Sequence, residues 1–292
     1  MKLGIDSYSF HRYFGEVYEG LQTDPGIKWS MLEDFVPYAI EQGVAEVALE
    51  TLFYDAFDDG LCRELASALD AAGIERVIGW GHPDGLHAGS DHEELEALIR
   101  MIPRAPAVGA KVMRIVSGSM IHVNEPHAPQ VQNSIKMLKR AAQAAEAEGV
   151  LIALENHIDF TSQEILEIVE GVDSEFLKVN FDTGNALRLF EDPVEAATRL
   201  APYTVSTHTK DITVDGSRGT PLERFTFWPS APAGQGIIDM VGVIRALRDG
   251  GFDGGLGIEL DLIAPQFAGR PETELVAESL AFLRSALAEI EG

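Results

Sequence analysis

Eight short apolar runs of strand length punctuate the chain, at 3–6, 46–50, 76–80, 111–116, 150–155, 176–182, 203–208 and 255–259. Between them lie segments of helical character, near 30–40, 61–72, 91–108, 128–148, 161–170, 192–200 and 237–248, with a last one at 273–290. Ser30 is placed to cap the first of these, and Gly43, Gly73, Gly109 and Gly149 close successive segments. This alternation predicts parallel strands joined by crossover helices. A doubly wound open sheet is the alternative, but no Gly-x-Gly-x-x-Gly follows the first run. The expectation is therefore an α/β fold of the (β/α)8 TIM-barrel type. The chain has 292 residues, close to the roughly 250 typical of such a barrel.

One domain over 1–292 is expected, with loop insertions on the barrel mouth near 7–29 and 212–236. The first insertion is aromatic and polar, from Ser7-Tyr8-Ser9-Phe10-His11-Arg12-Tyr13-Phe14-Gly15 to Trp29. The second breaks the helical rhythm and carries Arg218, Arg224, Phe225, Phe227 and Trp228. Loops of such length inside a compact domain are usually functional, as a lid or an oligomer interface.

Charge restricts the partners. With 22 Lys and Arg against 47 Asp and Glu, the formal net charge is −25. Nucleic-acid binding draws on cationic neutralisation of phosphates, so no nucleic-acid partner is expected, and acidic membranes are disfavoured. A single cysteine, Cys62, allows no internal disulfide and no thiolate metal cluster. The first residues enter a strand directly, without the apolar stretch of a signal peptide, and no run has the length of a membrane span. A soluble cytoplasmic protein is expected.

Four of the apolar runs end on residues that bind metal. Leu151–Leu154 leads into Glu155, 177–181 into Asp182, 203–207 into His208, and 256–258 into Glu259. In a parallel barrel the carboxyl ends of the strands share one mouth, so these four side chains would converge despite a separation of more than a hundred residues. Buried charged groups are seldom left unpaired or without a metal. Three carboxylates and one imidazole suit one divalent ion, Mn2+ or Mg2+ before Ca2+ or a thiolate-type metal.

The motifs Glu155-Asn156-His157, Asp182-Thr183-Gly184-Asn185, His208-Thr209-Lys210-Asp211 and Ile258-Glu259, with Gly234-Gln235-Gly236-Ile237-Ile238-Asp239, resemble those of the xylose-isomerase-like barrel superfamily. That group includes sugar isomerases, ketose 3-epimerases and an AP-endonuclease branch. The resemblance spans nearly the whole chain. It implies that Glu155, Asp182, His208 and Glu259 hold the ion, that a keto sugar binds to it through a carbonyl and a neighbouring hydroxyl, and that Glu155 and Glu259 exchange protons with substrate carbon. The chemistry implied is enolisation, leading to isomerisation or epimerisation when the carbon is reprotonated, or to a lyase reaction when a group is expelled.

Two positions depart from the pattern. Asn185 stands where those enzymes carry a histidine, and Val214 where the epimerases carry an arginine. A three-zinc endonuclease site is thereby incomplete, which disfavours phosphoester hydrolysis. The stretch 6–15 and the strand end Arg114-Ile115-Val116 are similar to two branches acting on 3-keto sugars, the C-glycoside deglycosidase α subunits and the 3-oxo-isoapionate decarboxylases. Homologous barrels associate, so a homo-oligomer is expected, with a second small subunit in the deglycosidase case.

Further candidates follow from position. His157 and Lys210 lie two residues beyond Glu155 and His208, on the same side of an extended chain. His157 suits a general base, or a hydrogen-bond donor to a ligand. Lys210 suits stabilisation of a developing oxyanion, or an ion pair. His11, Arg12, Glu50, His82, Arg114 and Asn185 are candidate substrate contacts; His87 lies in the same loop as His82. Trp80 and Trp228 could form an apolar wall or simply pack.

Overall fold

The computed structural model describes residues 1–54, 56–80, 84–214 and 228–291. Eight parallel strands close into a barrel: β1 (Lys2–Asp6), β2 (Glu46–Glu50), β3 (Glu75–Gly79), β4 (Val112–Ile115), β5 (Leu151–Glu155), β6 (Leu177–Asp182), β7 (Thr204–Thr209) and β10 (Gly255–Ile258). Each strand pairs with its sequence neighbour, and β10 returns to pair with β1. Between β7 and β10 lies a separate two-stranded antiparallel ribbon, β8 (Asp211–Ile212) with β9 (Ser230–Ala231). The expected (β/α)8 barrel is the observed fold.

Helices α1 (Val36–Gln42), α2 (Asp59–Ala72), α3 (His92–Met101), α4 (Arg104–Ala107), α5 (His127–Glu148), α6 (Ser162–Val172), α7 (Thr183–Arg188), α8 (Pro193–Leu200), α9 (Met240–Asp249) and α10 (Glu272–Glu291) make the outer layer. Their starts follow the local chemistry. Asp58 and Asp91 accept the first free N–H groups of α2 and α3, and Thr161 with Glu164 forms a reciprocal capping box on α6. Asp192 caps α8, which has proline in its first turn. Gly73 and Gly149 end α2 and α5 in the left-handed conformation that glycine adopts without steric cost.

The inner stripes face the barrel. Cys62, Leu65 and Leu69 of α2, and Leu95 and Leu98 of α3, are buried at helical spacing. Strand residues such as Ile152, Leu154, Val179 and Phe181 are buried as well, because helices cover the outside and neighbouring side chains fill the inside. Each such side chain contributes roughly 1.5–3 kcal/mol.

Two elements differ from the sequence expectation. The single helix expected over 91–108 is divided into α3 and α4 at Pro103, which has no N–H to continue the ladder. The short α7 follows directly on β6, where no helix was foreseen. Within the 7–29 insertion the chain makes a 3-10 turn at Ser7–Phe10, and Phe10 packs against Tyr13, Trp29, Phe35 and Tyr38. Among the described residues no helix is long and apolar enough to cross a membrane.

Candidate metal centre

Inside the barrel, side chains two residues apart on one strand share a face, which stacks them into layers. In the lower layer Ser206 donates to Asn180 at 2.7 Å. In the layer above, β6 and β7 place Asp182 directly opposite His208. Glu155 ends β5, and Glu259 follows β10 at once. One ligand atom from each of Glu155, Asp182, His208 and Glu259 lies within 4.8 Å of those of the other three, and all four residues are buried. The structure thus brings together the four residues singled out from the strand ends.

Each is fixed by neighbours. Asn156 clamps the Asp182 backbone, accepting from its N–H and donating to its carbonyl, both at 2.8 Å. Asp182 caps α7, its Oδ1 accepting from the Asn185 N–H at 2.8 Å. Asn185 donates in turn to Glu155 Oε1 at 3.1 Å, so it holds one carboxylate of the cluster. Asp6 Oδ2 lies 3.0 Å from His208 Nε2, which turns Nδ1 toward the cluster, 2.6 Å from Glu259 Oε2 and 3.4 Å from Glu155 Oε2.

The inward atoms fit a cation. Asp182 Oδ2, His208 Nδ1 and Glu259 Oε2 are buried and lack a hydrogen-bond partner of good geometry, a costly state unless something binds them. An O3N donor set of this kind can hold a divalent ion. Burial opposes ionisation of Glu155 and Glu259. The charge of His208 dominates for Glu155, and that of Lys210 followed by His208 for Glu259, so both carboxyls are held down at about 2. In the metal-free protein both are therefore anionic at neutral pH.

Lys210 reaches Asp182 at 3.1 Å, Glu259 at 3.0 Å and Asp261 at 3.3 Å. Burial disfavours its ammonium, but Asp182, Asp261 and Glu259 outweigh that and raise it well above the ordinary lysine range. Glu50 and Arg114 form a buried ion pair across the intervening Gly79, with which both are in register. A Cβ on Gly79 would overlap the Glu50 carboxylate. The pair extends to the cluster, since Arg114 Nε lies 3.5 Å from Glu155 Oε2.

The remaining candidates are more dispersed. His157 is partly exposed, and its Nδ1 lies 3.0 Å from the Gly118 carbonyl. Burial lowers its pKa, although Glu155 opposes the shift, so the ring is neutral at pH 7. His11 is buried between Tyr8 and Tyr18, with Nδ1 on the Tyr8 carbonyl and Nε2 on Gln22. Arg12 is tied to Glu272 at the start of α10 rather than to the cluster. Trp80 is buried, and Trp228 meets Phe190 edge-on. His87 lies edge-on to His122, with ring centroids 5.8 Å apart. His82, Arg218, Arg224, Phe225 and Phe227 lie outside the described residues.

Sequence reasoning missed three participants. Asp6 orients His208. Asp261 receives Arg188 through both oxygens, at 2.7 and 3.1 Å, and Arg188 also binds the Trp228 carbonyl. Asp261 stands two residues after Glu259, the same spacing that singled out His157 and Lys210, so its signal was present. Arg188 sits on the unforeseen α7.

The closed parallel barrel thus gathers at its mouth three carboxylates and an imidazole that could hold a metal ion. Residues 37–286 match the family model described as xylose isomerase-like TIM barrel, and the chain belongs to that family. Among curated proteins it is 23% identical over 211 residues to a 3-oxo-isoapionate decarboxylase of Pectobacterium atrosepticum, covering 72% of this chain and 66% of that one. The matched segments span only about half to two thirds of the first such relatives. Among solved structures, an L-ribulose 3-epimerase superposes with a TM-score of 0.75 at 19% identity, covering 99% of this chain and 95% of that chain. The IOLI protein with a bound zinc atom gives 0.73 at 17% identity, covering 99% of both.

Proposed function

We propose that the protein is a divalent-metal-dependent enzyme that enolises a keto sugar, in the manner of sugar isomerases and epimerases. The observation that carries this reading is the convergence of Glu155, Asp182, His208 and Glu259, with three of their inward atoms lacking a hydrogen-bond partner of good geometry. These four residues would hold the ion, Mn2+ or Mg2+ by donor type, with zinc as the ion of one structural neighbour. Once bound, the ion supplies Lewis acidity toward a substrate carbonyl and its adjacent hydroxyl.

The chain's own groups do the rest. His157, neutral and partly exposed to the mouth, is placed to take the proton from the carbon beside the carbonyl; Glu155 and Glu259 are the alternative bases. Lys210, fixed by three carboxylates, offers a positive charge to the oxygen that becomes negative as the C–H bond breaks. Arg114 steadies Glu155 and carries the charge of Glu50. Asp6 keeps the His208 ring in place.

Electrostatics favour an uncharged substrate. The cations around the cluster among the described residues, Arg114, Arg188 and Lys210, are each matched to protein carboxylates. A sugar phosphate or sugar acid would bring further negative charge to a site where Asp6, Glu50, Glu155, Asp182, Glu259 and Asp261 already gather. A lyase acting on a 3-keto sugar is the second reading, supported by the likeness to the decarboxylase. Phosphoester hydrolysis is disfavoured, because Asn185 brings an amide committed to Glu155 where a further metal ligand would be needed.

The test is solvent exchange. Protein loaded with Mn2+ is incubated in D2O with free ketoses and with 3-keto glycosides, and deuterium is located by mass spectrometry. Exchange into a free ketose beside its carbonyl, absent in Glu155→Gln and reduced in His157→Asn, supports isomerase or epimerase chemistry. Release of an aglycone from a 3-keto glycoside supports the lyase reading. No reaction with metal bound on either set sinks enolisation.

A further inference from the structure

We propose that the turn 117–119, beyond β4, is a positioning device that fixes the tautomer and direction of the His157 ring. The inference rests on the proposed catalytic role of His157 for its functional meaning, but not for its geometry. A carbonyl oxygen only accepts hydrogen bonds, so the 3.0 Å contact between His157 Nδ1 and the Gly118 carbonyl requires Nδ1 to carry the hydrogen. In the neutral ring Nε2 then carries the free lone pair, as a base requires. A ring with the opposite tautomer would present an N–H to the substrate and could not accept a proton.

The turn that provides this carbonyl is fastened at each residue. The Ser117 carbonyl accepts from the Ala88 N–H at 2.9 Å, and its hydroxyl meets that of Ser134 on α5 at 2.8 Å. The Gly118 N–H faces the buried Asp159 carboxyl, two residues beyond His157. Ser119 donates to Asp84 at 2.7 Å. His157 thus meets the Gly118 carbonyl, while the loop after β3 holds Ser117 and Ser119.

The contact with Ala88 is close and its backbone is strained. Ala88 has φ 52° and ψ 39°, a left-handed conformation in a residue with a Cβ, and His87 before it has φ 47°. Such residues persist only where the surroundings impose them, and they concentrate at functional sites. Gly118 packs so tightly on this segment that a Cβ would come within 3.0 Å of the Ala88 nitrogen and 3.3 Å of its Cα and Cβ. A Cβ at Gly118 would therefore push the turn or Ala88 aside by a few tenths of an ångström and disturb the carbonyl that meets His157.

Nitrogen NMR tests the assignment directly. Protein labelled with 15N-histidine and loaded with diamagnetic Mg2+ is recorded at neutral pH, and the His157 signals are identified by their loss in His157→Asn. The proposal expects a single Nδ1–H tautomer in the wild type, turning into a mixture or into Nε2–H in Gly118→Ala. An Nε2–H or mixed ring in the wild type overturns it, and so does a folded Gly118→Ala variant with an unchanged signature. The wild-type spectrum decides even if that variant does not fold. Full deuterium exchange in His157→Asn would instead remove the base role while leaving the tautomer result intact.

Discussion

Asp6, at the end of β1, holds His208 of β7 by a 3.0 Å contact to Nε2, so that Nδ1 faces Glu259 at 2.6 Å. The contact leaves Nδ1 as the ring nitrogen on the cluster side, and it ties the first strand to a candidate ligand some two hundred residues away. In Asp6→Ala the ring loses its outer partner while the four inner residues remain. Affinity for Mn2+ is expected to fall about 10- to 100-fold, read by chelator competition, with the circular dichroism unchanged. Unaltered affinity would show that the ring is held by its other contacts.

Lys210 neutralises Asp182, Glu259 and Asp261 together. Lys210→Met leaves buried carboxylates without that charge, and the metal-free protein is expected to lose about 3–5 kcal/mol of stability. Saturating Mn2+ should reduce the loss, because a divalent ion returns positive charge to two of the same groups. Urea unfolding with and without chelator measures both. Equal losses in the two conditions would mean that lysine and ion do not share these carboxylates.

Gly79 is the gap through which Glu50 and Arg114 meet. Gly79→Ala forces the Glu50 carboxylate aside and is expected to cost about 1–3 kcal/mol. It should also slow deuterium exchange, since Arg114 then no longer sits between Glu50 and Glu155. A variant as stable and active as the wild type would argue against the pairing.

Burial pushes the Asp159 carboxyl up to about 7, against the pull of the Phe160, Asp159 and Gly118 N–H groups. From about pH 4, where an unfolded aspartate loses its proton, up to about 7, the folded chain keeps a proton that the unfolded chain has released. Stability therefore falls as pH rises through that window and levels off above it. In Asp159→Asn this slope is absent, so the variant should gain on the wild type between about pH 4 and about 7, with a constant difference beyond. Parallel curves from urea unfolding across this range would contradict the assignment.

The barrel and its candidate metal centre were legible because both depend on patterns that survive in one dimension. Apolar runs ending at Glu155, Asp182, His208 and Glu259 announce strand ends, and a parallel barrel can bring such ends to one mouth only. Helix bounds were close where a cap and a glycine frame them, as at Ser30 to Gly43. Helix α7 was not legible: six residues are too few for a helical period, and it is held by the Asp182 cap rather than by its own pattern. With it went Arg188, and so the partner of Asp261. Asp6 and Gly118 were hidden for another reason. Their roles come from contacts with residues far away in sequence, which no local spacing encodes.

The central claim is one divalent ion held by Glu155, Asp182, His208 and Glu259, and its most direct measure is metal stoichiometry. Protein stripped by chelator is dialysed to equilibrium against Mn2+, Mg2+ and Zn2+ in parallel, and the metal per chain is determined by elemental analysis. The account expects one ion per chain in the wild type and sharply weakened binding in Asp182→Asn, His208→Ala and Glu259→Gln. No bound ion in the wild type, or undiminished binding in all three variants, would contradict it.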